Sequence, residues 1–73
     1  MELQKLVQMA NQIGAYFAAE PDVAVARDGV ATHLRKFWDP RMRRALLAAF
    51  DAGEAKGLSP LVTEAVRAHR DRL

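Results

Sequence analysis

Seventy-three residues with no cysteine make one small domain at most, and they exclude a disulfide framework, a cysteine nucleophile and any thiolate metal site. Hydrophobic residues make up 51%, charged residues 27% and aromatic residues only 7%, a balance that suits helices better than a twisted sheet. The net charge of +2 is concentrated: residues 27–44 carry six basic side chains against two acidic, residues 1–26 carry one Lys against Glu2, Glu20 and Asp22, and residues 45–73 balance.

The first stripe is Leu3, Leu6, Val7, Ala10, Ile13 and Phe17, spaced by three and four, which predicts a helix over 3–19. Glu20, Pro21 and Asp22 then break the chain, since proline turns its preceding residue away from helix. Val23, Ala26, Val30, Leu34 and Phe37 share the next stripe and predict a second helix over 22–37, with Gly29 marking close packing against the first. Asp39 and Pro40 are a start signal: the carboxylate accepts from first-turn amides, and proline has no amide to lose there. The third helix follows with Met42, Ala45, Leu46, Ala49 and Phe50 on one side, and Gly53 and Gly57 are left-handed caps that end it near 52. Ser59 and Pro60 repeat the start signal, and Leu61, Val62, Ala65, Val66, His69 and Leu73 mark a fourth helix over 60–73.

The expected architecture is therefore all-α, a single four-helix domain over residues 1–73 with a sharp corner at Trp38 and Asp39 between helices two and three. Helices one and two are expected to form the main apolar hairpin. The fourth, with its narrow stripe and Arg-rich end, is expected to lean on a partner for its order. A chain this short buries only about 60% of the surface its unfolded form exposes, so a partner surface is an expected part of the fold. No apolar run reaches the roughly 18 to 20 residues that span a bilayer, and no basic stretch leads into an apolar core at the amino terminus. These features point to a cytoplasmic chain with no membrane contact.

Residues that could carry chemistry are few. His33 and His69 are the only imidazoles, and neither has a second ligand at helical spacing, so no metal site is expected. His33 lies at the flank of the second stripe, as a half-buried histidine or a donor to a partner. Ser59 reads as a helix cap, Thr32 and Thr63 fall on helices, and the glycines match no phosphate-binding loop, so no catalytic or cofactor-binding residue is expected.

The informative stretch runs from His33 to Arg44, where five basic groups surround the adjacent Phe37 and Trp38. On a helical wheel Phe37 continues the core stripe and Trp38 lies about 100° further round, at its edge. Two readings stand: a solvated basic face with Trp38 folded back over the core, or a protein-binding hot spot, for which Trp and Arg are the favoured residue types. The candidate partner-binding residues are His33, Lys36, Phe37, Trp38, Arg41, Met42, Arg43 and Arg44. A free-standing helical regulator that binds nucleic acid through this block is the alternative. It is disfavoured because the block straddles the corner and the helix after Pro40 offers no Asn or Gln to base edges.

The opening Lys5-Leu-Val-Gln-Met-Ala-Asn-Gln-Ile13 with Phe17, the run Gly29 to Arg43 containing His33-Leu-Arg-Lys-Phe-Trp-Asp-Pro-Arg-Met-Arg43, and the closing segment Leu58 to Val66 resemble the delta subunit of soluble NAD-dependent formate dehydrogenase. The resemblance implies a small non-catalytic accessory subunit of a cytoplasmic complex that oxidises formate and reduces NAD. It further implies larger partner subunits, the main one holding molybdenum or tungsten on a bis-pyranopterin guanine dinucleotide, with iron–sulfur clusters and flavin mononucleotide in the complex. Absence of cysteine fits that division, since this chain cannot ligate a cluster through thiolates. The expectation is that the basic corner docks on the molybdenum-bearing subunit. A bolder form has its arginines reach the phosphates of the pterin dinucleotide. The free chain could also form homo-oligomers through an exposed helix face.

Overall fold

A computed structural model describes residues 2–73. Among these, the chain is all-helical, with α1 over Leu3–Phe17, α2 over Val23–Phe37, α3 over Pro40–Asp51, α4 over Pro60–Ala68 and a short 3-10 turn over Arg70–Arg72.

The start signals act as their chemistry dictates. The Asp22 carboxylate accepts from the amides of Ala24 and Val25 at 3.0 and 3.3 Å. Asp39 accepts from Arg41 N at 2.8 Å, with Pro40 filling the first helical position, and Ser59 Oγ accepts from Val62 N at 3.3 Å. These bonds satisfy amides that no preceding turn can reach. Gly53 and Gly57 take φ values of +72° and +89°, the left-handed conformation that reverses the chain after α3. α1 ends at Phe17, two residues short of the expected boundary.

The core joins all four helices through Leu6, Val7, Ala10, Val30, Leu34, Leu46, Leu47, Val62, Ala65 and Val66. The predicted Gly29 contact is present: a Cβ there would lie 2.5 Å from the Phe17 ring, so α1 and α2 meet closely at that level.

Two expectations about packing are corrected. The most extensive helix–helix contact is between α2 and α4, not α1 and α2. α4 is accordingly well anchored within the chain, with Val62, Ala65 and Val66 all fully buried. The reason lies in small residues. Gly14 of α1 leaves room for α4 to approach so closely that a Cβ there would sit 2.7 Å from Val62 Cγ2, and Ala65 presents little bulk. A narrow stripe is enough for a helix that packs this tightly.

α4 also stops at Ala68 instead of continuing to 73. The tighter turn that follows brings Arg70 to Asp51 and Arg72 to Asp28 and Thr32, the latter two at 2.6 Å. Leu73 packs against the core cluster. Asn11 pins the α3–α4 connection: its amide donates to the Gly57 carbonyl and its oxygen accepts from Ser59 N, each at 2.8 Å.

Candidate functional site: the α2–α3 corner

Only Trp38 and Asp39 separate α2 from α3. Trp38 is extended, with φ −86° and ψ 138°, so its side chain leaves the direction an uninterrupted helix would give it. The expected roles of the two aromatics are reversed. Trp38 is 6% exposed, buried beside Leu34, Leu46, Leu47 and Leu73. Phe37, expected in the core stripe, is 73% exposed. Trp38 folded back over the core is thus the reading that holds for the indole, and its placement at the edge is corrected.

The eight residues of the corner divide into an inner and an outer set. Trp38 and Met42 belong with the core. Arg43 turns inward and its Nη1 donates to the carbonyls of Arg35 and Trp38 at 2.6 and 3.2 Å. These are acceptors at the end of α2 that no following turn can pair, so Arg43 caps one helix from the next and holds the corner closed. Its Nε is enclosed without a hydrogen-bond partner among the described residues, a cost the two Nη1 bonds offset.

The outer set is His33, Lys36, Phe37, Arg41 and Arg44. His33 is half-buried with its ring 4.7 Å from that of Phe37 and tilted 42° to it. Lys36, Arg41 and Arg44 are exposed. The three-residue spacing of Arg41 and Arg44 places both on the side of α3 away from Leu46 and Ala49. Arg41 pairs loosely with Asp39 at 3.6 Å. The amide of Arg41, helped by the charges of Arg41 and Arg44, holds the Asp39 carboxyl below its usual pKa despite partial loss of water around it. The outer set thus combines an exposed aromatic ring at the end of α2 with three exposed cations at or just beyond that end, and with one carboxylate that stays ionised.

Two contributors, Asn11 and Gly14, carry no local sequence signal. Asn11 finds its partners 46 and 48 residues away. Gly14 differs in no local way from a tolerated helix glycine. Tyr16, 78% exposed and edge-on to Phe17 at 5.0 Å, could have been found as a large apolar residue off the α1 stripe.

Among the described residues, no group of three or more His, Asp or Glu side chains could hold a metal ion, and no helix is long and apolar enough to cross a membrane.

Residues 5–66 match the family described as NADH-dependent formate dehydrogenase delta subunit FdsD. The chain belongs to that family. The matched segment takes in α1 from Lys5, all of α2 and α3 with the corner between them, and α4 as far as Val66, so the FdsD match includes both the inner and the outer set; the 3-10 turn at Arg70–Arg72 lies beyond it. No curated protein and no solved structure matches the chain.

Proposed function

We propose that this chain is a non-catalytic accessory subunit of a cytoplasmic NAD-dependent formate dehydrogenase. It docks through the outer face of the α2–α3 corner on the large molybdenum-bearing subunit and supports assembly, cofactor loading or activity. The redox groups in this reading, a molybdenum or tungsten pterin, iron–sulfur clusters and flavin, belong to the larger subunits. With no cysteine in its sequence, the delta chain offers no thiolate to a cluster.

The observation that carries the reading is the 73% exposure of Phe37, its ring tilted against that of His33 and flanked in sequence by Lys36, Arg41 and Arg44. Burying a phenylalanine is worth about 1.5 to 3 kcal/mol relative to leaving it in water, a gain the isolated fold forgoes. A partner that covers the ring recovers it, and the surrounding cations fix orientation against acidic groups on that partner. Trp38, Met42 and Arg43 serve from behind, by holding α2 and α3 at the angle that presents the outer residues. The inward turn of Arg43 also takes one cation out of the block available to nucleic acid, which weakens the rival reading.

The test is co-expression with a tagged large subunit. Phe37→Ala, and separately Lys36, Arg41 and Arg44 each changed to Glu, are expected to lower the delta content of the purified complex at least tenfold. The isolated variants should keep the helical circular dichroism of the parent. Unchanged delta stoichiometry in both variants refutes the assignment. Tight, steeply salt-dependent binding of the chain to duplex DNA would replace it with the nucleic-acid reading.

A further inference from the structure

The apolar stripe of α2 overruns the bundle at both ends. Its middle members Ala26, Val30 and Leu34 are 3%, 0% and 1% exposed, whereas Val23 at one end is 55% exposed and Phe37 at the other 73%. The two ends sit in opposite electrostatic surroundings. At the start of α2 the chain arrives from α1 through a tip that carries Glu20 and Asp22, both exposed, beside the exposed Tyr16. An open groove of about 380 Å³ lies between Tyr16, Phe17, Ala19 and Glu20, and a second of about 230 Å³ reaches from Glu20 past Val23 to Leu61. Arg27, the first cation after the tip, is engaged by Glu64 at 3.3 Å. The tip is thus apolar and acidic, and the corner apolar and basic.

Fifteen helical residues hold these ends about 21 Å apart, so neither can cover the other within one chain. Each nevertheless has the chemistry the other lacks. We infer that the tip of one copy seats the corner of a second copy, with Phe37 entering the groove beside Tyr16 and with Lys36, Arg41 and Arg44 opposite Glu20 and Asp22. Opposed potentials at two small apolar patches give recognition without much area. An interface at the weak end of the usual range, about 600 Å² per copy, is roughly an eighth of the 4559 Å² surface, so the pairing is reversible. The contact occupies the same corner as the proposed docking site. It is accordingly a state of the free chain, displaced when a larger partner takes the corner, and it does not rest on that partner being a formate dehydrogenase.

Sedimentation of the full chain over a concentration series tests this without any other subunit present. The average mass is expected to rise with concentration at low salt and to fall back to that of the single chain at about 0.5 M salt, where screening acts within roughly 4 Å. Tyr16→Ala and Phe37→Ala, both at exposed positions and checked for helical content, are each expected to sediment as single chains. Mixed one to one they should recover a species of twice the chain mass, since one variant keeps its corner and the other its tip. Glu20→Lys is expected to weaken the association at least tenfold. A single-chain mass at every concentration overturns the inference, as does association that persists in either variant or a mixture that fails to recover. Because the large subunit is absent, these outcomes leave the docking proposal to stand or fall on its own co-purification test.

Discussion

The inner and outer faces of the α2–α3 corner come from one continuous run of residues and answer to different constraints. On the inner face Trp38, Met42 and Arg43 are fixed by what the chain itself needs: a packed indole, a filled gap and two capped carbonyls. On the outer face Phe37, Lys36, Arg41 and Arg44 do little for the fold, because they touch mostly water. Adjacent aromatics in a sequence can therefore have opposite purposes: the extended backbone of Trp38 turns its indole inward, while Phe37, still helical, lies past the end of the bundle.

Substitutions can break this contrast or sharpen it. The largest effect is expected for Trp38→Ala, which empties the centre of the inner face and should cost about 3 to 5 kcal/mol, enough to leave so small a domain largely unfolded in thermal circular dichroism. A near-normal melting curve would show that the indole is not structural. Gly14→Ala comes next. The new Cβ would meet Val62 Cγ2 at 2.7 Å and Ser59 Oγ at 3.2 Å, and Val62 is a fully buried β-branched side chain that is stiff at χ1. The strain, about 1 to 3 kcal/mol, should outweigh the roughly 1 kcal/mol gained in helix propensity, and chemical denaturation reads the difference.

Asn11→Ala removes two hydrogen bonds to the α3–α4 connection and should lower stability by about 1 to 2 kcal/mol. Increased exchange of the Ser59 amide, whose N–H loses its acceptor, would accompany it. Asp39→Asn acts through pH. A carboxyl with a lowered folded-state pKa adds stability above its unfolded pKa, near pH 4, and loses it as pH falls through the folded value. Urea unfolding at about pH 5 and pH 3 should show a shallower acid loss in Asp39→Asn than in the parent. The smallest effect on stability, within about 0.5 kcal/mol, belongs to Phe37→Ala on the outer face.

Much of the fold was legible because its signals are local. The Asp39–Pro40 and Ser59–Pro60 starts and the left-handed Gly53 and Gly57 depend on chemistry within a few residues, and each behaves as its type requires. The corner between α2 and α3 was readable for the same reason. The assignment of Phe37 and Trp38 failed because a helical wheel assumes the helix continues, whereas Trp38 is already extended and the bundle ends before the stripe of α2 does. The anchoring of α4 was missed because it rests on closeness at Gly14 and Ala65, which apolar content does not register. At the candidate site the cations were visible as a block, but the inward turn of Arg43 depends on carbonyls that become unpaired only once the corner forms.

Where the Phe37 side chain lies when the delta chain is in its complex decides whether the corner docks. A benzophenone amino acid placed at position 37 and irradiated in the assembled formate dehydrogenase is expected to cross-link the delta chain to the large molybdenum-bearing subunit. A delta chain that remains fully bound yet yields no cross-link from that position would contradict docking through the outer face of the corner.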